Sequence, residues 1–359
     1  MKLKVASLFS GIGGFEEGLK KARIKSEVVF ASEIDFCARI SYGANFPTDT
    51  LCGDIKQVDE HDIPDHDLLL AGFPCQSFSI AGMRRGFEDT RGTLFFDVAR
   101  ILAYKKPRYI LLENVKNLIT HDGGRTVRKI LDTLDEIGYS TDITIINSSE
   151  AGVPQSRDRT YICGIYGGKT EEFTTDKRSR SADKLKKRLN GTDFHGFNFF
   201  NNISFHNKQR YICDILDRDV GVPFFFNGEE IVEYLRQLNP HDIQTNEPRI
   251  VKLFDLPREI YNDLERQRRV YSIHGISPTL LARSDTAKIL VEDSEGLAIR
   301  KLSPLETFYI QGFDRAFVKN IKSTLMSATQ MYKQSGNAVS PPVIAGILKY
   351  LYKEYIQND

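Results

Sequence analysis

Apolar positions along this chain follow two alternating spacings. Residues 4 to 9, Lys4-Val5-Ala6-Ser7-Leu8-Phe9, read as a buried strand, which leads straight into Ser10-Gly11-Ile12-Gly13-Gly14. Phe15, Gly18, Leu19 and Ala22 then recur at helical spacing. A strand, a Gly-rich turn and a helix are how a nucleotide-binding unit opens. Further strands are expected over 27–32, ahead of Gly53-Asp54, over 66–71, and over 109–112 up to Glu113-Asn114-Val115. Thr93 to Tyr104 has helical spacing, as do Val127, Ile130, Leu131, Leu134 and Ile137, with Gly138 placed to cap that second helix. Strands follow over 143–146 and 161–165. The pattern is that of an α/β fold with a largely parallel sheet.

The pattern changes after Gly167-Gly168. Between 176 and 188, Lys177, Arg178, Arg180, Lys184, Lys186, Lys187 and Arg188 face only Asp176 and Asp183, seven minus two, a local excess of five positive charges. Five Phe between 194 and 205 and three more at 224–226 fit no regular period. Such residues suit contact with bases and phosphates, and a small hydrophobic core accounts for the Phe equally well. Order returns near 270, with strands expected over 288–291 and 297–300. Ser303-Pro304 with Glu306 reads as a capping box, and an apolar helix runs from Val343 to about Tyr352.

Composition narrows the class. In 359 residues, 41% are hydrophobic and 27% charged, and 49 Lys plus Arg balance 48 Asp plus Glu, so any basic surface must come from local segregation of charge. Five Cys, at 37, 52, 75, 163 and 213, form no C-x-x-C pair, which points to neither a zinc site nor a disulfide framework. No apolar run approaches the roughly 18 residues of a membrane span, and the apolar part of the N-terminus is too short for a signal peptide. A cytoplasmic protein with no metal and no membrane association is expected.

Several residues could carry chemistry. Cys75 follows Gly72-Phe73-Pro74 where a buried strand should end, and the ends of such strands hold the reactive groups of open α/β sheets; a small buried hydrophobe is the commoner role of a lone Cys. Glu33 stands about 20 residues past the glycines, where a carboxylate can accept hydrogen bonds from a ribose. Glu16 occupies the third Gly position of the dinucleotide fingerprint, and its charge would repel a pyrophosphate, which favours a ligand with ribose and no phosphate. Asp54 could bind an adenine amino group or hold a turn. Glu113 is either a buried acid or an exposed one just past its strand. Arg157 and Arg159, two apart at the start of a strand, should share one face and could hold an anion or the edge of a base; a solvated pair is the alternative. The segment from Ala81 to Gly92, with three Gly and three Arg, has the composition of a lid or an ordinary exposed loop.

These pieces, taken together, resemble the DNA (cytosine-5) methyltransferases, and most closely the compact bacterial restriction-modification type. The matching blocks are Leu8 to Phe15, Gly72-Phe73-Pro74-Cys75-Gln76-Ser77-Phe78-Ser79, Arg91 to Phe95, Glu113-Asn114-Val115, Gln155-Ser156-Arg157-Asp158-Arg159, Arg300 to Glu306, Gln311-Gly312-Phe313 and Gln334-Ser335-Gly336-Asn337-Ala338-Val339. They follow the family's order and leave only the middle of the chain unmatched. The resemblance implies a Rossmann-like S-adenosylmethionine-dependent methyltransferase domain with a smaller target-recognition domain. The implied boundaries are 1–168 for the catalytic domain, 169–270 for recognition, and 271–359 for a hinge and C-terminal segment packing back on the first.

It also implies roles. Cys75 would be the nucleophile toward C6 of a flipped cytosine, Glu113 would share a proton at N3, and Arg159 would hold O2, with Arg157 nearer phosphate or structure. S-adenosylmethionine would lie along Phe9, Gly11, Gly13, Glu33, Ile34, Asp54, Ile55, Pro74, Leu94 and Asn337. Ile34 departs from relatives that place an aromatic ring over the adenine, so stacking there should be weaker. The 81–92 segment would close over the base. The implied partner is double-stranded DNA, methylated by a monomer, with a cognate restriction endonuclease acting on the same site without a stable complex. Three rival readings are an RNA substrate, a non-catalytic DNA-binding protein on the same fold, and a nicotinamide oxidoreductase.

Overall fold

Continuous apolar runs such as Leu68-Leu69-Leu70-Ala71 can be buried on both faces only inside a parallel sheet covered by helices. The computed structural model has such a sheet. It describes residues 2–74, 94–217, 220–226, 228–238, 245–284, 286–293 and 296–357. Cys75 and the 81–92 segment lie outside the described residues. The chain divides into two compact units, Met1–Ile146 with Asp158–Ser204 and Val343–Asp359, and Asn147–Arg157 with Phe205–Pro342.

The first unit is built on seven strands: β1 (Leu3–Leu8), β2 (Ser26–Ser32), β3 (Leu51–Cys52), β4 (Leu68–Gly72), β5 (Tyr109–Val115), β6 (Tyr139–Asn147) and β7 (Asp158–Tyr166). Their order is β3-β2-β1-β4-β5-β7-β6. Strands β1 to β5 pair in parallel, and β7 runs antiparallel to β5. Helices α1 (Gly14–Ala22), α2 (Phe36–Gly43), α3 (Leu94–Lys105), α4 (Arg125–Ile137) and α5 (Arg180–Leu189) belong to the same unit. The expected amphipathic face of α4 is buried through Val127, Ile130, Leu131 and Leu134, and Gly138, at φ 108°, caps it as expected. Each such aliphatic side chain contributes about 1.5–3 kcal/mol by leaving water.

The compact units and the implied domain boundaries, 1–168, 169–270 and 271–359, are drawn along different lines. The compact units do not divide at 169: residues 169–204 belong to the sheet unit, and 271–342 belong to the second unit, leaving only 343–359 of the C-terminal segment with the sheet. The reason is burial. Phe194, Phe197, Phe199 and Phe200 are core residues, with Phe199 packed against Tyr350 and Tyr355 near the C-terminus. The basic run is not one surface patch either. On α5, Lys186 is 1% exposed, and its ammonium lies 2.7 Å from Asp142 and 2.9 Å from Asp176. The remaining oxygen of Asp142 accepts the Phe199 and Phe200 amides at 2.9 and 2.8 Å, so this buried acid has hydrogen bonds on both sides.

The second unit contains a four-stranded sheet, β8 (Lys252–Asp255), β9 (Arg269–Tyr271), β10 (Lys288–Asp293) and β11 (Gly296–Lys301), ordered β11-β10-β9-β8. Helices α6 (Glu229–Leu238), α7 (Glu265–Arg268), α8 (Pro304–Gln311), α9 (Arg315–Ser323) and α10 (Ala328–Asn337) accompany it, and α11 (Pro341–Leu351) follows. Ile231, Leu235, Leu256, Val270, Leu290 and Ile299 form a core of this unit. The Ser303–Glu306 capping box is present, and Arg300 pairs with the same Glu306 through two contacts of 2.8 Å. No helix among the described residues is long and apolar enough to cross a membrane.

Removing Lys186 would leave Asp142 and Asp176 buried without their cation. Lys186→Ala is expected to destabilise the protein by about 3–5 kcal/mol, read as a lowered urea midpoint at unchanged slope. A midpoint equal to wild type would mean that this triad does not hold α5 on the sheet.

Candidate active site

Parallel strands end on one edge, so the residues just past β1, β2, β3 and β4 share it. In the order β3-β2-β1-β4-β5 the chain reverses direction between β1 and β4, the place where open α/β sheets leave a crevice. Past β1, Phe9 takes φ 55° although it is not glycine, a strained conformation that a strand end in a functional turn can hold. The Ser10 hydroxyl and amide both reach the Ser32 carbonyl, tying the ends of β1 and β2 together. Gly13 caps α1 at φ 91°, and a Cβ there would lie 2.2 Å from the Phe46 ring. Gly11, at φ 56°, has nothing within 4 Å of where a Cβ would lie, so its surface is open.

Glu33 is held in place from two sides. One carboxylate oxygen accepts the Gly11 amide at 2.8 Å and the other accepts the Asp35 amide at 2.7 Å. Each oxygen keeps a second lone pair for an incoming hydroxyl. Ile34 beside it is 68% exposed, an apolar surface at the strand end. Asp54 accepts the Lys56 amide at 3.0 Å and caps a short 3₁₀ turn, so at least one of its oxygens has the turn-holding role. Ile55 is a core residue, Pro74 is exposed, and Leu94 is half-buried at the start of α3. Asn337 is exposed at the end of α10 in the second unit.

This edge offers the Glu33 and Asp54 carboxylates beside an open glycine, and the first turn of α1 carries no cation. That set fits a ribose and a cationic ligand such as a sulfonium better than a phosphate. Glu16 itself, however, does not face a ligand as its sequence position suggests. It is 4% exposed, with the Tyr42 hydroxyl 3.4 Å from its carboxyl.

The second half of the site is on β4, β5 and β7. The expected strand end before Glu113 is not there: β5 continues to Val115, and Glu113 pairs with Gly72 of β4 and Tyr161 of β7. Glu113 is 9% exposed, which excludes the exposed-acid reading. Its charge is met by Arg159, whose Nε lies 3.2 Å from Oε1, while Nη1 of Arg159 donates to the Asp158 carbonyl at 2.8 Å. Because β7 begins at Asp158, the strand alternation invoked for Arg157 and Arg159 does not reach Arg157. Arg157 is buried and donates to the carbonyls of Leu280 (3.3 Å), Gly336 (2.9 Å) and Ala338 (3.2 Å). Gly336 is fixed there by space, since a Cβ would lie 2.3 Å from the Leu281 carbonyl oxygen.

One positioning residue was not on the list of candidates. Asn114 is buried, its amide donates to the Phe73 carbonyl at 2.8 Å, and its own oxygen accepts the Val115 amide at 2.8 Å. It therefore pins the chain two positions before Cys75. The signal was present in Glu113-Asn114-Val115, where a buried amide next to a buried acid requires partners.

The chain thus presents a largely parallel, Rossmann-like sheet with Glu33 fixed past β2 and an acid–guanidinium pair on β5 and β7. Residues 3–353 match the family described as C-5 cytosine-specific DNA methylase. Over an alignment 436 positions long, gaps included, the chain is 32% identical to the orphan methyltransferase M.SPRI of Bacillus phage SPR, covering 100% of this chain and 99% of that one. It is 37% identical over 346 residues to the type II methyltransferase M1.ScrFI of Lactococcus lactis subsp. cremoris, covering 96% of this chain and 77% of the relative. The fold is similar to that of a Spodoptera frugiperda DNMT2 mutant, with TM-score 0.66 and 22% identity over 98% of this chain and 100% of that one. The chain belongs to the C-5 cytosine-specific DNA methylase family. Its activity is DNA cytosine-5 methylation, and the family implies S-adenosylmethionine as the methyl donor.

Burial pushes the Glu16 carboxyl up to about 7 from its ordinary 4.5. The folded state thus holds this proton more tightly than the unfolded chain. The stabilisation is complete below about pH 4.5 and is lost as pH rises toward 7, a change of about 3 kcal/mol. Glu16→Gln, neutral at every pH, should flatten the fall in stability between pH 4.5 and 7 in urea titrations. Identical slopes for variant and wild type would remove Glu16 as the cause.

Proposed function

We propose that this chain is a site-specific methyltransferase acting on a flipped-out cytosine of double-stranded DNA through a covalent bond between Cys75 and C6, and that it protects host DNA in a restriction-modification system. The observation that carries the reading is the Glu113–Arg159 pair, next to the strand end from which the chain leaves for Pro74 and Cys75. C5 of cytosine is a weak nucleophile. Addition of the Cys75 thiolate to C6 uses the C5–C6 π bond and moves electron density onto the ring, toward N3 and O2. Glu113 shares a proton at N3 and Arg159 donates to O2, which relieves that charge as it develops. Asn114, by holding the Phe73 carbonyl, limits where the thiolate can stand. When C5 has been methylated, loss of its proton re-forms the double bond and the C6–S bond breaks, returning the electron pair to sulfur.

S-adenosylmethionine supplies an electrophilic methyl group when bound. Glu33 would take the ribose hydroxyls, Asp54 the adenine amino group and Ile34 one face of the adenine, with Phe9, Gly11, Gly13, Ile55, Pro74, Leu94 and Asn337 completing the pocket. Extrusion of the base costs a few kcal/mol of stacking. In this reading the 81–92 segment closes over the base and the middle of the chain reads the flanking sequence. The enzyme acts as a monomer, and its cognate endonuclease cuts the same site without forming a stable complex. A second reading, a solitary methyltransferase, is favoured by the full-length similarity to an orphan phage enzyme. Loss of the methyltransferase would kill a host that carries a cognate endonuclease and be tolerated in one without it.

Cys75→Ala should lower methyl incorporation into DNA by at least about 10³-fold, and Glu113→Gln by about 10²–10⁴-fold, both with cofactor binding retained. Bisulfite sequencing of DNA from a methylation-free host expressing the wild type should show protected cytosines in one fixed context. Methyl transfer surviving in Cys75→Ala would rule out the covalent route.

A further inference from the structure

The basic run of α5 has two faces. Ala182, Leu185, Lys186 and Leu189 are buried, whereas Lys184 and Arg188, one turn apart, are exposed. These two side chains line a groove of about 630 Å³ whose other wall is the first half of α4, with Arg125, Arg128 and Lys129. Five cations thus line one depression in a chain whose formal net charge is +1. Two of them have acidic partners: Arg128 lies 2.7 Å from Asp132, and Arg125 pairs with Asp122. Among the described residues, Lys129, Lys184 and Arg188 have no ion pair, and all three are exposed.

The position of the groove matters as much as its charge. Strand β5 ends at Val115, and α4 begins at Arg125 after two short 3₁₀ turns, so the first turns of α4 stand at the same edge of the sheet as Glu113 and Arg159. A groove at this edge, outside the acid–guanidinium pair and on the same unit, is placed to meet nucleic acid on the flank of a bound target. Its cations are distributed along two helices rather than converging on one point, which suits a run of phosphates better than a single anion.

We infer that the α4–α5 groove binds the sugar–phosphate backbone of duplex DNA beyond the recognition sequence, through Lys129, Lys184 and Arg188. The contact carries no base information. It adds affinity that falls with salt and lets the enzyme engage long DNA before it finds a site. The inference rests on the DNA-methylating activity of the family and is separable from the covalent chemistry proposed above.

The test compares wild type with Lys129→Gln/Lys184→Gln/Arg188→Gln on a random-sequence 40-bp duplex, measuring log K against log salt by fluorescence anisotropy. Each lost phosphate contact flattens the slope by about 0.9, so the triple variant should lose about 2.7. Methyl incorporation into plasmid DNA, at low salt and saturating DNA, should match wild type, as should cofactor binding by calorimetry. An unchanged slope overturns the inference, and so does a variant that loses methyl incorporation at saturating DNA. Reduced affinity for an RNA duplex with unchanged DNA binding would make RNA the occupant and equally overturn it. If the triple variant melts early, Arg188→Gln alone should still flatten the slope by about 0.9. Absence of methyl incorporation by wild type would count against the enzymatic reading, whereas the slope tests the groove directly.

Discussion

An acid inside a buried strand persists only when a cation shares its burial, and Glu113 with Arg159 meets that condition across β5 and β7. The pair depends on register. Glu113 faces Tyr161 and Val115 faces Arg159 in the antiparallel ladder, and a slip of one residue would turn each side chain to the opposite face. The same β5 residues fix the neighbouring strand: Gly72 pairs with Glu113, and Asn114 holds the Phe73 carbonyl. Packing, charge and the approach of the chain to Cys75 are therefore set by one stretch of three residues.

Buried charge recurs as a structural device elsewhere in the molecule. Lys186 with Asp142 and Asp176 joins α5 to the sheet, and Arg300 with Glu306 joins β11 to the cap of α8. In each case backbone amides take up carboxylate lone pairs that the cation does not, as at Phe199, Phe200 and Ser303. Full satisfaction is what makes such burial tolerable, and it confines these segments to one packing arrangement.

What the sequence made legible, and what it did not, follows the range of the interactions. Local signals read well: the apolar runs of β1, β4 and β5, the Gly138 cap and the Ser303–Glu306 box are where spacing placed them. Long-range pairing did not read. Strand β6 begins at Tyr139 and includes Ser140, Thr141 and Asp142, polar residues whose burial depends on partners far along the chain, Lys186 among them. The Phe-rich stretch gave no period because its rings pack against the C-terminal segment. Arg157 looked like a partner of Arg159 because two residues apart is a strand spacing, but its bonds go to carbonyls at 280, 336 and 338. For the site, Glu33 could be named as a candidate from position, whereas Glu113 stayed open between a buried and an exposed acid until the β5–β7 ladder fixed its burial. Asn114, within the Glu113-Asn114-Val115 block, carried a signal only once its burial was known, because its contact with Phe73 is one that no spacing encodes.

A site of this kind must attract a polyanion with a protein of nearly neutral net charge, while its cofactor edge is acidic. Spatial separation resolves that conflict. Acids stand past β2 and β3, at Glu33, Asp35 and Asp54. Beyond β5, cations stand on β7, α4 and α5, and where one is buried, as Lys186 is, acids neutralise it. In the proposed reading, the acids past β2 and β3 would hold a cationic methyl donor, with the Glu113–Arg159 pair further along the same sheet on β5 and β7.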